Sequence, residues 1–100
     1  MKKKIIGLVD GQSGNIGSIK KAIKDIIQDK PYQLKIIQSD FNPNAFAKII
    51  LPGQGAYATL ISNLKKLKIY KSLKTYLENN FPYLGICVGM QILSDVGHEE

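Results

Sequence analysis

Strand-like and helix-like segments alternate along this chain, and that alternation limits its fold more than any other feature. Lys4 to Val9 is a near-continuous β-branched run, the pattern of a strand buried on both faces. Ile16, Ile19, Ile23, Ile26 and Ile27 then recur at helical spacing, with Lys20, Lys21, Lys24 and Asp25 between them. Pro31 closes that helix. Gln33 to Gln38 alternates as a second strand, and Ser39 to Asn44 is a turn-rich connection holding Pro43. Lys48 to Leu51 reads as a third short strand, cut by Pro52-Gly53. Two helical stretches follow. Ala58 to Leu67 carries Leu60, Ile61 and Leu64 on one face, and about Ile69 to Asn79 carries Leu73, Tyr76 and Leu77. Pro82 restarts the chain as a fourth strand, Tyr83 to Ile86, and Gly89 to Val96 reads as a last helix. The β-α-β-β-α-β-α order predicts an α/β fold: an open, mostly parallel sheet with helices on both faces. Four strands with three or four helices is lean for such a sheet. The chain therefore reads as one partial domain, the front half of a larger one, spanning residues 1–100.

Composition narrows the function classes. The 100 residues carry a net charge of +6, but every one of the 14 basic residues is lysine. Proteins that read base sequence lean on arginine for bidentate contacts to guanine. The excess charge is read as solvated surface, with no nucleic-acid partner. No apolar run approaches the roughly 18 residues needed to span a bilayer, so no membrane segment is expected. Asp10 ends the first apolar stretch too soon for a signal peptide, which predicts a cytoplasmic protein. A single cysteine, Cys87, excludes an intrachain disulfide framework and a cysteine-built zinc site.

That cysteine stands in the strongest motif, Gly85-Ile86-Cys87-Val88-Gly89-Met90-Gln91. G-x-C-x-G between a hydrophobic strand and a helix matches the physics of a nucleophile elbow. A sharp strand-to-helix turn leaves little room two residues either side of the nucleophile, so glycines flank it. The turn lifts the side chain off the sheet's carboxyl edge and sets the sulfur at a helix N-terminus, where the dipole favours thiolate. The backbone N–H of Val88 would face a developing oxyanion. A small buried cysteine in a tight turn would show the same spacing.

Two further loops follow strands. Pro52-Gly53-Gln54-Gly55 has glycines that permit close approach of backbone N–H groups to a ligand. In a parallel sheet it lies at the same carboxyl edge as the elbow, where open α/β folds bind ligands. Asp10-Gly11-Gln12-Ser13-Gly14-Asn15-Ile16-Gly17-Ser18 is a glycine-rich stretch opening a helix, a feature that can cradle phosphate, but it fits neither G-x-G-x-x-G nor the phosphate loop. Helix capping by Ser13 or Asn15 accounts for it as well. His98 is the only histidine. It lies beyond the helix that starts at the elbow, which at about 1.5 Å per residue carries it more than roughly 10 Å from the sulfur. It is read as a solvated residue beside Glu99 and Glu100. The base that Cys87 needs is then not among these residues.

V-D-G-Q-S-G-N, I-L-P-G-Q-G-A-Y and L-G-I-C-V-G-M-Q, in this order, resemble the amino-terminal half of a class I (triad-type) glutamine amidotransferase. The resemblance covers essentially the whole chain, and Asn63-Leu64 and Glu99-Glu100 fit it too. Within the family it is nearest the glutaminase subunits of imidazole glycerol phosphate synthase. It implies a flavodoxin-like fold and a glutaminase in which Cys87 takes the glutamyl group of glutamine as a thioester and releases ammonia. Val88, Gly53 and Gln54 would form the oxyanion hole, and Gly55 and Gln91 would help seat glutamine. The ammonia would pass to a (β/α)₈-barrel cyclase, with Gln12 and Asn15 near that interface. No metal or organic cofactor is expected.

Three departures from the family pattern stand out. The H-P-E motif that carries the family's catalytic His and Glu is absent, so a protein ending at residue 100 is expected to be inactive. Gly11 and Gln12 replace the usual Tyr-Gly of the first loop. Gln54 replaces the usual valine of P-G-x-G. Two alternatives remain open on sequence: a paralogous glutaminase feeding another synthase, such as one forming amidino sugars, and a non-catalytic flavodoxin-like binding module.

Overall fold

The computed structural model describes residues 3–12, 16–87, 89 and 92–93, with Cys87 described through its backbone. In chain order the elements are β1 (Lys4–Val9), α1 (Ile16–Ile27), β2 (Tyr32–Ile37), a 3-10 turn (Pro43–Ala45), β3 (Lys48–Gly53), α2 (Tyr57–Lys66), α3 (Tyr70–Glu78) and β4 (Tyr83–Cys87). Among the described residues the strands form one sheet in the order β2-β1-β3-β4, every pairing parallel. Parallel pairing puts the carboxyl ends of all these strands on one edge.

The steps from β1 to β2 and from β3 to β4 run in opposite directions across the sheet. Right-handed crossovers therefore place α1 on one face and α2 with α3 on the other. The α2–α3 face holds the main core. Leu60 and Leu64 of α2 and Leu73, Tyr76 and Leu77 of α3 pack with Val9, Ile37, Phe46, Ile49 and Leu51. A fully buried aliphatic side chain stabilises by about 1.5–3 kcal/mol relative to exposure. Leu51, which runs into the candidate site, is at 0 % exposure and so anchors that end of β3. Gly7 sits where a Cβ would come within 2.6 Å of Ile37 Cδ1 and 2.8 Å of Phe46 Cδ1, so the large ring of Phe46 fills the place of a side chain.

Several boundaries differ from the sequence reading. β3 does not stop at Leu51 but continues through Pro52 and Gly53. Ile49 donates to the carbonyl of Pro82, the residue just before β4, so odd-numbered residues of β3 bond towards β4. Pro52 then turns its donor-less nitrogen towards β1, where pairing ends at Leu8–Ile50, and no ladder bond is lost. β2 and α2 each start one residue earlier than expected, at Tyr32 and Tyr57, and end one earlier, at Ile37 and Lys66. β4 runs one residue further, to Cys87. Of the α1 isoleucines, Ile16, Ile19, Ile23 and Ile27 form the half-buried stripe, while Ile26 is 65 % exposed because it turns off that stripe. Of the expected last helix, Ile92 and Leu93 are helical, Gly89 lies in a 3-10 turn, and the remainder falls outside the described residues. No helix among the described residues is long and apolar enough to cross a membrane.

Candidate active site

The register of β3 and β4 brings two of the sequence motifs side by side. Leu51 pairs with Gly85, Pro52 with Ile86 and Gly53 with Cys87. Adjacent strands lie about 4.8 Å apart. The backbone that carries the thiol therefore leaves the sheet directly beside the turn of Pro52-Gly53-Gln54-Gly55. β1 is the next strand over, so its loop opens on the same edge. Strand order reverses between β1 and β3, and such reversal points are where open α/β sheets bind ligands.

Pro52 and Gly53 are buried, and Gln54 and Gly55 are exposed. Gly55 has φ +83° with no atom within 4 Å of where a Cβ would stand. Backbone conformation, not crowding, is what demands glycine there. α2 begins two residues later, after Ala56, which offers no side-chain cap to its first turn. The large amide of Gln54 thus stands exposed between a buried strand end and an uncapped helix start.

The elbow is gripped from two sides. A Cβ on Gly89 would run into the carbonyl oxygen of Leu51, so the second glycine of G-x-C-x-G lets the turn lie against β3. On the other side the Tyr83 phenol donates to the Gly89 carbonyl at 2.6 Å. Burial pushes the Tyr83 hydroxyl well above the ordinary phenol range, and the neighbouring Tyr57 phenol adds to the shift. Sequence reasoning missed Tyr83. Its signal was a tyrosine opening an otherwise aliphatic strand, four residues before the cysteine.

The loop after β1 is held by its neighbours. Asp10 accepts from the Gln12 amide at 3.1 Å and from Gln38 Nε2 at 3.4 Å. Gln12 takes a left-handed conformation, φ 60°. Asn63 of α2 donates from Nδ2 to the Gly11 carbonyl at 3.0 Å, tying this loop to the helix that follows Gly55.

The structure thus brings together Gly53, Gln54, Gly55 and the Cys87 backbone, with Gln12 on the same sheet edge. Val88, Gln91, Asn15, Ser13, His98, Glu99 and Glu100 lie outside the described residues, as does the Cys87 side chain. A cavity of about 430 Å³ bounded by Asp40, Lys65, Lys68, Tyr70, Lys71 and Ser72 lies at the far end of α2 and adds nothing to this edge.

The family described as glutamine amidotransferase class-I matches residues 13–99. The imidazole glycerol phosphate synthase subunit HisH of Desulfitobacterium hafniense (strain Y51) is 37 % identical over 95 residues, covering 95 % of this chain and 43 % of the relative. The HisH subunit of Pelagibacter ubique is 35 % identical over 99 residues, covering 95 % of this chain and 46 % of the relative. The chloroplastic imidazole glycerol phosphate synthase hisHF of Arabidopsis thaliana is 32 % identical, again over 95 % of this chain but 15 % of the relative. The chain thus spans less than half the length of these curated relatives.

Proposed function

This chain belongs to the class I glutamine amidotransferase family, and on that premise we propose that it is the nucleophile-bearing part of a glutaminase serving histidine biosynthesis. The single observation that carries the reading is the pairing of Gly53 with Cys87. It sets a glycine turn, able to offer backbone N–H groups, beside the residue that would take the acyl group.

The chemistry follows from that placement. The Cys87 sulfur, as thiolate, adds to the side-chain amide carbon of glutamine. Negative charge develops on the amide oxygen, and the N–H of Val88 with the Gly53–Gln54 turn would receive it. Collapse breaks the C–N bond. The leaving nitrogen takes a proton and departs as ammonia, and a glutamyl thioester remains. Water then adds to the thioester carbon, giving glutamate and the free thiol. The proton transfers need a general base supplied from outside residues 1–100. Gly55 and Gln91 would seat the substrate.

Relatives carry the names of imidazole glycerol phosphate synthase subunits, and the Arabidopsis relative bears the combined name hisHF. By that likeness the ammonia is handed to a cyclase, a (β/α)₈-barrel partner in a cytoplasmic heterodimer whose ring-forming step is a lyase reaction. Gln12 and Asn15 would lie near that contact.

The test is covalent labelling of the whole protein by a glutamine-mimicking electrophile, with glutamate release measured in parallel. Labelling and turnover should both vanish in Cys87→Ser. Turnover retained in that variant, or equal labelling of folded and denatured protein, would overturn the assignment.

A further inference from the structure

We propose that Tyr83 is a positioning residue for Cys87, its phenol latching shut the turn that carries the nucleophile. The inference rests on the reading of Cys87 as the acyl acceptor. Tyr83 stands four residues before the cysteine and Gly89 two after it, so their hydrogen bond spans the nucleophile. At 2.6 Å it is at the short end for an O–H···O bond. Gly89 is buried, and its other side rests on the Leu51 carbonyl. The turn is therefore held between a phenol and the backbone of β3.

The direction in which an elbow aims its nucleophile is set by the backbone on both sides of it. Tyr83 fixes the carbonyl just beyond the turn. Without the hydroxyl, a buried carbonyl is left without that partner unless its peptide rotates towards another donor. Such a rotation reaches Cys87 through two peptide units. A misplacement of about 1 Å at a reacting group can lower a rate about a hundredfold. A phenol is protonated at neutral pH in any case, and burial raises the Tyr83 hydroxyl further above the ordinary phenol range, so the donor is retained into alkaline solution. The ring also packs against the core and approaches Tyr57, the first residue of α2. The latch therefore sits where the elbow meets the helix following the glycine turn.

The test uses the whole protein. Tyr83→Phe keeps the ring and removes only the donor. The kcat for glutamine hydrolysis should fall roughly tenfold or more while KM stays within about twofold, as for an interaction acting on the transition state. The pH midpoint for alkylation of Cys87 by iodoacetamide should rise, because a thiol displaced from the helix start loses thiolate stabilisation. Tyr83→Leu should match Tyr83→Phe in kcat and lose stability besides. A Tyr83→Phe protein with wild-type kcat and a superimposable alkylation profile would overturn the latch. A wild-type protein without glutaminase activity would sink the functional reading instead. The alkylation profiles would then still decide on Tyr83: a raised midpoint supports the latch and coincident curves reject it.

Discussion

Gly53 and Cys87 occupy opposed positions on neighbouring parallel strands, although α2 and α3 separate them in the chain. A turn rich in backbone N–H groups and a thiol-bearing elbow leave the sheet together because both follow strands of one direction. Consequences for stability and activity follow from the contacts that maintain this edge.

Gly89→Ala should be costly. The added methyl meets the Leu51 carbonyl, a backbone atom of a buried strand that has nowhere to go. Overpacking of this kind costs about 1–3 kcal/mol. Gly7→Ala meets side chains alone, Ile37 Cδ1 at 2.6 Å and the Phe46 ring at 2.8 Å, and no backbone atom. Urea unfolding midpoints should therefore drop further for Gly89→Ala than for Gly7→Ala. The reverse order would contradict the placement of the elbow against β3.

Gly55 presents the opposite case, conformation without crowding. At φ +83° an alanine is strained by about 1–2 kcal/mol even with open space around it. Asparagine tolerates the left-handed region better. Gly55→Asn should accordingly keep more stability and more glutaminase activity than Gly55→Ala, measured side by side in the whole protein. Equal loss in the two variants would point to some demand other than backbone conformation.

Asn63→Ala removes the donor to the Gly11 carbonyl. A net loss of about 0.5–1.5 kcal/mol is expected from the hydrogen bond. If the β1 loop faces the cyclase, as proposed, affinity for that partner should weaken as well. Titration calorimetry against the partner would show it. Unchanged affinity would remove this loop from the interface.

Alkaline stability should depend on the buried phenols. Tyr83 and Tyr76 both have pKa values raised above the ordinary 10.0 by burial. Above that pH the unfolded chain releases phenolic protons that the folded chain retains. The folded state then binds more protons, and stability falls as pH rises. Below pH 10 the contribution is fully present. A plot of unfolding midpoint against pH should decline more gently beyond about pH 10 in Tyr83→Phe than in wild type. Parallel declines would show that the Tyr83 phenol is not held neutral by the fold.

Much of the architecture was legible in local patterns. The β-branched run of β1, the isoleucine stripe of α1 and the apolar faces of α2 and α3 each announce their element through periodicity. The reach of β3 was not, because Pro52 reads as a breaker until one knows which side its nitrogen faces. Here that side is the one where pairing with β1 has already ended, a fact of register rather than of residue type. The exposure of Ile26 was hidden for a similar reason. Its apolar character is plain, but which side of α1 meets β2 depends on how the helix is rolled.

The site divides along the same line. G-x-C-x-G and P-G-Q-G could be named from sequence because each is a contiguous turn whose glycines answer local steric demands. Their adjacency, the tie from Asn63 to Gly11, and the phenol of Tyr83 closed over Gly89 belong to the folded molecule. Local sterics are settled within a few residues and so are written in the order of amino acids. Which turn lies beside which is settled by strand order and register, and these emerge only when distant segments share one core.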